Sequence, residues 1–382
     1  MKLKATKTIG IIGVSLLTLA ACSTNGSAGT GSENGGDGQG DSADEMREVS
    51  IALSPFQDTL LPIVGEEMGW FEEKNIDVSF TSTAWNAVMT TLASGSVDVA
   101  VYSTTGVIAV ANTAPDMVYT YGWNYFTEGA AMMVRPEGEI DTIENLVNDG
   151  MPHDQAREEV LTGLEGMTIV TTMGTDMGKS VYDALESVGL GLEDVQIVDM
   201  DPDAGLAAFL SGTGDAYLGG LAQRFRLREE GMLVAASGVD LSSPVLNGFV
   251  THGDFYEENP DLFLDLVHIM HRIIRFCDDD PNKCGEIITE RLNQEGAAGL
   301  TVQDWVDFWQ NLEVYPGNAA EAKSMMLEED GIAYWVNTWE SDNQFLVRNG
   351  DIQESVEPEG RFLMEDVWEN YVDKYGADEE GY

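Results

Sequence analysis

Apolar and polar positions alternate from Val49 to about residue 251 in a pattern that predicts strands and helices in turn. Short apolar or β-branched runs predict strands, and apolar positions three or four residues apart predict helices. Strands that alternate with helices of this length form βαβ units around a mostly parallel sheet. The predicted strands cover residues 49–54, 76–81, 97–102, 117–121, 131–134, 167–171, 195–200, 216–219, 233–236 and 248–251.

The helices predicted between these strands are short, and the chain becomes mainly helical after residue 251. Residues 150–163 form a polar insertion for which we also expect a helix. No repeat of solenoid length is present in the sequence. The other predicted helices cover residues 58–68, 85–94, 107–112, 142–148, 179–187, 204–210, 223–230, 260–277, 285–293, 301–310 and 319–328.

The residues before Val49 follow a different pattern. Three lysines within the first seven residues precede an apolar run over residues 9–19 and then Ala20, Ala21 and Cys22. This order is typical of a secretory signal peptide, and the run is too short to span a bilayer as a permanent helix. The segment resembles the bacterial lipobox, in which the cysteine becomes the first mature residue and carries lipid. The alternative is an ordinary signal peptide with an incidental cysteine.

The segment after Cys22 is rich in Gly, Ser and Asp up to residue 48 and lacks aromatic side chains. Such a composition cannot bury enough apolar surface to fold, so it predicts a flexible spacer. We therefore assign residues 1–21 to a signal peptide and residues 22–48 to a lipidated cysteine with an acidic tether. The expected location is outside the cytoplasm, with Cys22 anchored in the cell membrane.

The chain is strongly acidic, with a formal net charge of −48 from 67 Asp and Glu against 19 Lys and Arg. Loss of the three lysines of the signal peptide leaves −51 on the mature chain. A field of this sign repels nucleic acid and anionic lipid headgroups, which excludes both as partners. Because the acidic residues are spread along the chain, they predict a solvated surface and not a binding feature.

Two cysteines remain after Cys22, and they lie close together in Phe276-Cys277-Asp278-Asp279-Asp280-Pro281-Asn282-Lys283-Cys284. An even pair in an oxidising compartment, on either side of a turn sequence, predicts a local disulfide between Cys277 and Cys284. The alternative is two unpaired thiols in a reducing environment. A loop this short would mainly fix a connection between two helices.

Four further segments carry a resemblance through their order and spacing. In residues 67–78, Gly69 is placed to end a helix and Asn75 to take a left-handed turn before Ile76-Asp77-Val78. The others are residues 92–100, 204–216 and 251–260. Together they resemble the substrate-binding proteins of ABC importers, of the nitrate/sulfonate/taurine and thiamine-precursor (pyrimidine) type. The insertion at residues 150–163 and the long helical tail depart from that pattern.

The resemblance implies an α/β fold of two lobes, the type II periplasmic-binding-protein fold, with a hinge crossed twice and a helical C-terminal extension. Lobe 1 is expected over residues 49–125 plus 239–382, and lobe 2 over residues 126–238. Ligand would bind in the cleft and drive closure. The expected partners are a small-molecule ligand, the permease subunits of an ABC importer and the membrane that holds the lipid anchor, and the protein is expected to be a monomer.

Ligands of such lobes bind at the carboxyl ends of strands, near helix N-termini. Several of the residues selected by this rule have a simpler explanation, since Thr104 can cap a helix and Trp85 or Trp123 can pack in a core. Arg224 can equally pair with Glu229 or Glu230 on its own helix. The candidate ligand-binding residues are Phe56, Trp85, Asn86, Ser103, Thr104, Trp123, Gly174, Thr175 and Arg224.

The sequence contains no nucleophile elbow, phosphate-binding glycine loop or zinc signature, so no catalytic residue, cofactor or metal is predicted. His268 and His271 share a helix face without a nearby third ligand and are expected to pack. The predicted function is capture of a small organic solute, similar to a sulfonate, taurine or nitrate or else an aromatic nitrogen heterocycle, and its delivery to an ABC permease, without catalysis. The alternatives are an extracellular enzyme or a ligand-sensing lipoprotein on the same scaffold. The acidity and the many aromatic residues favour a neutral, aromatic or cationic solute, stacked on Trp85, Trp123, Tyr102 or Tyr125, over an anion.

Overall fold

The computed structural model describes residues 46–126, 130–296 and 299–382. The predicted signal peptide, Cys22 and most of the predicted tether lie outside the described residues. Within those ranges, no helix is both long enough and apolar enough to cross a membrane.

Ten strands form two separate five-stranded sheets. The first sheet contains β1 (Arg47–Leu53), β2 (Ile76–Ser82), β3 (Val99–Ser103), β4 (Met117–Phe126) and β10 (Val245–His252). The second sheet contains β5 (Ala131–Val134), β6 (Thr168–Thr171), β7 (Gln196–Asp199), β8 (Ala216–Gly219) and β9 (Leu233–Ser237). We call the first sheet and its helices lobe 1, and the second sheet and its helices lobe 2.

Each sheet is mixed, with one strand that runs against its neighbours. The strand orders are β2-β1-β3-β10-β4 and β7-β6-β8-β5-β9. In lobe 1, β10 is antiparallel to β3 and β4, and in lobe 2, β5 is antiparallel to β8 and β9. The chain passes from lobe 1 to lobe 2 between β4 and β5 and returns between β9 and β10. A strand that enters after such a crossing is not part of a βαβ unit and is free to run antiparallel.

Short helices cover both sheets, and the polar insertion forms one of them, α6. Its buried Ala156, Val160 and Leu161 face the lobe while its polar residues face solvent. The helices of lobe 1 are α1 (Leu61–Glu67), α2 (Trp70–Glu73), α3 (Val88–Ala93) and α4 (Thr104–Val110). Those of lobe 2 are α5 (Ile143–Asn148), α6 (His153–Thr162), α7 (Asp176–Ser187), α8 (Pro202–Leu210), α9 (Leu221–Glu229) and α10 (Gly238–Leu241). Single 3₁₀ turns lie at Trp85–Ala87 and Leu192–Asp194.

The turn chemistry expected around the first helices is confirmed. Gly69 has φ +75° and separates α1 from α2, and Asn75 has φ +53° immediately before β2. Asn75 is the one non-glycine residue with positive φ among the described residues. Asparagine tolerates this left-handed conformation better than most residues.

The C-terminal region is helical. Its helices are α11 (Gly253–Glu258), α12 (Pro260–Asp279), α13 (Pro281–Glu295), α14 (Val302–Asn311), α15 (Ala319–Ala322), α16 (Trp335–Asn349) and α17 (Met364–Tyr375), with a π-helical turn at Lys323–Leu327. Cys277 of α12 and Cys284 of α13 form a disulfide, with their Cα atoms 5.2 Å apart. Helix α12 packs on α1 and α13.

Helix α16 contacts both lobes. It packs on α4 and β10 of lobe 1 and on α7 of lobe 2. On the side of lobe 2, the ring of Phe345 lies 5.7 Å from the ring of Tyr182, and Arg348 forms an ion pair with Glu186. The helical tail therefore adds side chains to the region where the two lobes meet.

Candidate functional site

Loops that follow parallel strands of the two lobes contact each other. Trp85 follows β2, and its indole Nε1 donates a 3.1 Å hydrogen bond to Oδ1 of Asp176, which follows β6. Phe56 follows β1, and Gly220 follows β8; a Cβ on Gly220 would stand 2.6 Å from Cε1 of Phe56. The carboxyl ends of strands are where open α/β sheets bind ligands. The two lobes thus form one cleft, which is closed at these contacts.

Three aromatic side chains of lobe 1 form one wall of the cleft. The ring of Trp85 stacks on Tyr102 with centroids 4.1 Å apart, and Phe56 meets Trp85 edge-on at 5.4 Å. All three side chains are buried. This arrangement leaves the indole N–H directed at a carboxylate while the ring surface stays apolar, as is usual for a buried tryptophan.

Asp176 is the first residue of α7 and is held by the geometry of the loop before it. Thr175 caps the helix, since its Oγ1 accepts a hydrogen bond from the backbone N–H of Met177. Burial raises the pKa of the Asp176 carboxyl from 3.8 to about 7; its hydrogen bond from Trp85 opposes this shift, and the charge of Asp58 adds to it. At neutral pH this carboxyl is therefore divided between its protonated and ionised forms.

Asp58 lies between β1 and α1, and its buried carboxyl group contacts the side-chain amides of two asparagines. Its Oδ2 accepts hydrogen bonds from Nδ2 of Asn124 at 3.1 Å and of Asn247 at 3.0 Å. Burial raises its pKa, against the hydrogen bonds that favour the ionised form. Sequence reasoning missed Asp58, although it lies only two residues beyond Phe56 in the segment after β1.

Asp342 comes from the C-terminal region, on α16. Its Oδ2 accepts a 2.7 Å hydrogen bond from Oγ1 of Thr104, the first residue of α4. Burial raises the pKa of Asp342 to about 6, and Lys179 opposes the shift. No local signal in the sequence could have identified Asp342, because it lies in the middle of an amphipathic helix far from any strand end.

A β-bulge in β4 determines which side chains of this strand face the cleft and which face the core. Asn124 pairs with Asn247 and Gly122 with Gly248, so Trp123 has no partner in the register. Trp123 turns into the core instead, where its ring lies 4.4 Å from that of Phe249. A bulge reverses the alternation of faces, which explains why Asn124 reaches Asp58 and Trp123 does not.

The other predicted binding residues divide between the cleft and its surroundings. Ser103 and Thr104 are buried at the end of β3, and the hydroxyl of Ser103 has no hydrogen-bond partner among the described residues. Gly174 has φ +69°, and its Cβ position would lie 3.8 Å from Asp351. Asn86 is exposed.

Arg224 is buried on α9, where it lines a groove of lobe 2 together with Arg228 and residues of β9. Its proposed partners on the same helix, Glu229 and Glu230, instead form ion pairs with Arg226. The local pairing suggested by sequence spacing is thus made by the neighbouring arginine.

The described residues contain no group of three or more His, Cys, Asp and Glu placed to hold a metal ion. His268 bonds Glu379 through Nδ1 at 3.0 Å and stacks on Tyr375. His271 is buried, which lowers its pKa to about 3, with Arg275 acting in the same direction. These histidines pack, as the sequence predicts.

Solved structures with the same fold include binding proteins and an enzyme. The periplasmic aliphatic sulphonate binding protein SsuA from Escherichia coli is 14% identical with a TM-score of 0.62, and the match covers 82% of this chain and 91% of that one. The periplasmic nitrate-binding protein NrtA from Synechocystis PCC 6803 is 16% identical with a TM-score of 0.62, covering 87% and 89%. The desulfurization enzyme DSZB is 16% identical with a TM-score of 0.59, covering 86% and 99%.

At these identities the likeness shows the fold, a two-lobed α/β periplasmic-binding-protein fold. A comparison with curated protein sequences finds no match. The sequence profile of the NMT1-like family matches residues 42–289, which is most of both lobes. The chain therefore belongs to the NMT1-like family.

Proposed function

We propose that this protein is a solute-binding lipoprotein outside the cytoplasm that captures a small organic solute between its lobes and delivers it to an ABC permease. The observation that supports the proposal most directly is the hydrogen bond between Trp85 of lobe 1 and Asp176 of lobe 2. It joins the two strand-end loops where a ligand of this fold would lie. A solute there would contact both lobes and so favour the closed state over the open one.

The predicted N-terminus supports the same role. A lipid on Cys22 would hold the protein at the membrane, and the acidic tether would let the folded body reach a permease in that membrane. The closed body would differ from the open one in shape, which is how a permease could recognise a loaded binding protein. No covalent step is required of the cleft.

The structural likeness to DSZB keeps an enzyme as the rival proposal, because one fold supports many functions. The two differ in what happens to a bound solute. A binding protein retains one equivalent unchanged, whereas an enzyme releases a product.

The decisive experiment screens sulfonates, nitrate, pyrimidines, flavins and amines by thermal shift, and then measures stoichiometry and product formation for each hit. We expect one solute bound per chain and recovered intact. Formation of product would establish the enzyme instead.

The variant Gly220→Ala tests whether binding uses closure. Its φ of −77° suits alanine, but in the closed form the added Cβ would collide with the ring of Phe56 in the other lobe. We expect weaker binding, because the added Cβ disfavours the closed form. The matched control is Gly163→Ala, at the exposed end of α6. Equal affinities of the two variants would contradict binding in this cleft.

A further inference from the structure

Three buried carboxyl groups line the closed cleft. Their hydrogen-bond partners among the described residues are all uncharged. Asp176 accepts from Trp85, Asp342 accepts from Thr104, and Asp58 accepts from two asparagine amides. None of the three forms an ion pair with another described residue. A buried carboxylate is costly unless a cation or several donors compensate it.

The cation that acts on Asp342 is bonded to other side chains. Lys179 influences Asp342, but its Nζ bonds Asp183, Ser242 and Ser243. No lysine or arginine is among the groups that act most strongly on Asp58 or Asp176. Within the part of the chain that the structure describes, these three carboxyl groups therefore have no basic side chain bonded to them.

Several side-chain amide oxygens near Asp58 receive no hydrogen bond from the described residues. Asn124 and Asn247 donate their Nδ2 hydrogens to Asp58, and the Oδ1 atoms of the same planar amides are buried without a partner among the described residues. Oε1 of the buried Gln57 likewise has no partner within the described ranges. All three are acceptors, and a buried acceptor without a donor costs free energy. A ligand with several N–H groups would satisfy them, whereas a sulfonate or nitrate, which only accepts, would not.

The aromatic wall of the cleft would also attract a cation. The stacked pair of Trp85 and Tyr102 lies next to Asp176, and Phe56 closes the edge. The faces of aromatic rings attract cations, and their surface also accommodates the methylene part of an organic cation.

We propose that the solute of this cleft is a small organic cation whose ammonium or guanidinium N–H groups bind Asp58 and the amide oxygens of Asn124 and Asn247. Asp176 and Asp342 supply further negative charge, and the ring pair of Trp85 and Tyr102 packs against the apolar part. The inference rests on the proposed function, since it names the class of solute for the same cleft.

The test is calorimetric titration of the mature, detergent-solubilised protein with putrescine, agmatine, ethanolamine and choline, and with methanesulfonate, nitrate and cytosine for comparison. We expect one of the four cations to bind at least tenfold more tightly than any of the comparison solutes. Binding of methanesulfonate or nitrate instead, or the absence of binding by all four cations, would overturn the inference.

Two variants then test whether the negative charge of these carboxyl groups contributes to cation binding. Asp176→Asn and Asp342→Asn keep an oxygen for the hydrogen bond from Trp85 or Thr104 and remove the negative charge. We expect each to weaken cation binding at least tenfold. The matched control is Asp278→Asn, because Asp278 accepts a 2.8 Å hydrogen bond from Trp309 in the same manner but lies at the exposed end of α12. Unchanged cation affinity in both cleft variants would also overturn the inference.

The outcomes separate the two proposals. Retention of an intact anion or neutral solute would leave solute binding in place and refute only the cationic class. Turnover of any bound solute would refute the binding-protein role, whatever the charge of the solute.

Discussion

The indole Nε1 of Trp85 and Oδ1 of Asp176 lie 3.1 Å apart and belong to different lobes. A similar tryptophan–aspartate hydrogen bond, 2.8 Å between Trp309 and Asp278, lies outside the cleft, between α14 and α12. The same chemistry thus serves two purposes, which can be separated by mutation. Because only the first bond joins different lobes, opening of the cleft would break the first bond and spare the second.

We expect Trp85→Phe to favour the open state. Phenylalanine keeps much of the aromatic wall but removes the donor, so Asp176 loses a hydrogen bond worth about 2 kcal/mol when the cleft closes. The radius of gyration from small-angle X-ray scattering should therefore rise in the variant. Trp309→Phe is the control, with an unchanged radius. If neither variant alters the radius, the Trp85–Asp176 bond does not hold the lobes together.

We expect the stability of the free protein to fall between about pH 4 and pH 7 through Asp176. Burial raises its pKa from 3.8 to about 7, so the folded state binds a proton that the unfolded chain has released. That contribution to stability is complete below pH 4 and is lost as the pH rises through 7. Asp176→Asn should therefore be as stable as the wild type at pH 4 and more stable at pH 8, by up to about 4 kcal/mol.

Guanidinium unfolding of both proteins at pH 4, 6 and 8 measures this difference. The control is Asp373→Asn on the exposed face of α17, for which we expect a difference within about 0.5 kcal/mol at each pH. A constant difference between Asp176→Asn and the wild type across this pH range would show that Asp176 titrates normally.

We expect loss of the Cys277–Cys284 disulfide to lower stability modestly. The bond joins residues only seven positions apart, and closing so short a loop in the unfolded chain is worth about 2 kcal/mol. The double variant Cys277→Ser/Cys284→Ser should unfold at lower guanidinium concentration and still bind solute, since the bond lies between α12 and α13. Alkylation of both cysteines without prior reduction would contradict the bond itself.

We expect Cys22 to carry lipid. Cells grown with an alkyne analogue of palmitate should label the wild-type protein, and mass spectrometry should place the modified N-terminus of the mature chain at Cys22. Cys22→Ala should lose the label, while Cys277→Ser/Cys284→Ser should retain it. A mature protein that begins at another residue with an unmodified N-terminus would show that the signal peptide is an ordinary one.

The local pattern of the sequence predicted much of the fold because strands and helices here follow their hydrophobic periodicity. All ten strands occur where alternating or β-branched runs predicted them, and α6 forms from the polar insertion. The sequence pattern did not predict that β5 and β10 run antiparallel to their neighbours. This orientation depends on which lobe the chain has just left, and periodicity does not record that.

Several candidate binding residues that directly follow a strand lie at the cleft. Phe56, Trp85, Ser103 and Thr104 lie at the cleft because the carboxyl ends of parallel strands meet at one edge of a sheet. Trp123 satisfied the same rule and still packs in the core, because the bulge in β4 turns it to the opposite face from the one its position predicted.

The sequence by itself determined the strand-end loops and the left-handed turn at Asn75, since each depends on neighbouring residues. Only the tertiary structure decided that the cleft is acidic. Asp342 meets Thr104 across 238 residues, and Asp58 meets Asn247 across 189. Among 67 acidic residues, most of them solvated, a carboxylate becomes distinctive only when folding buries it beside others without a cation.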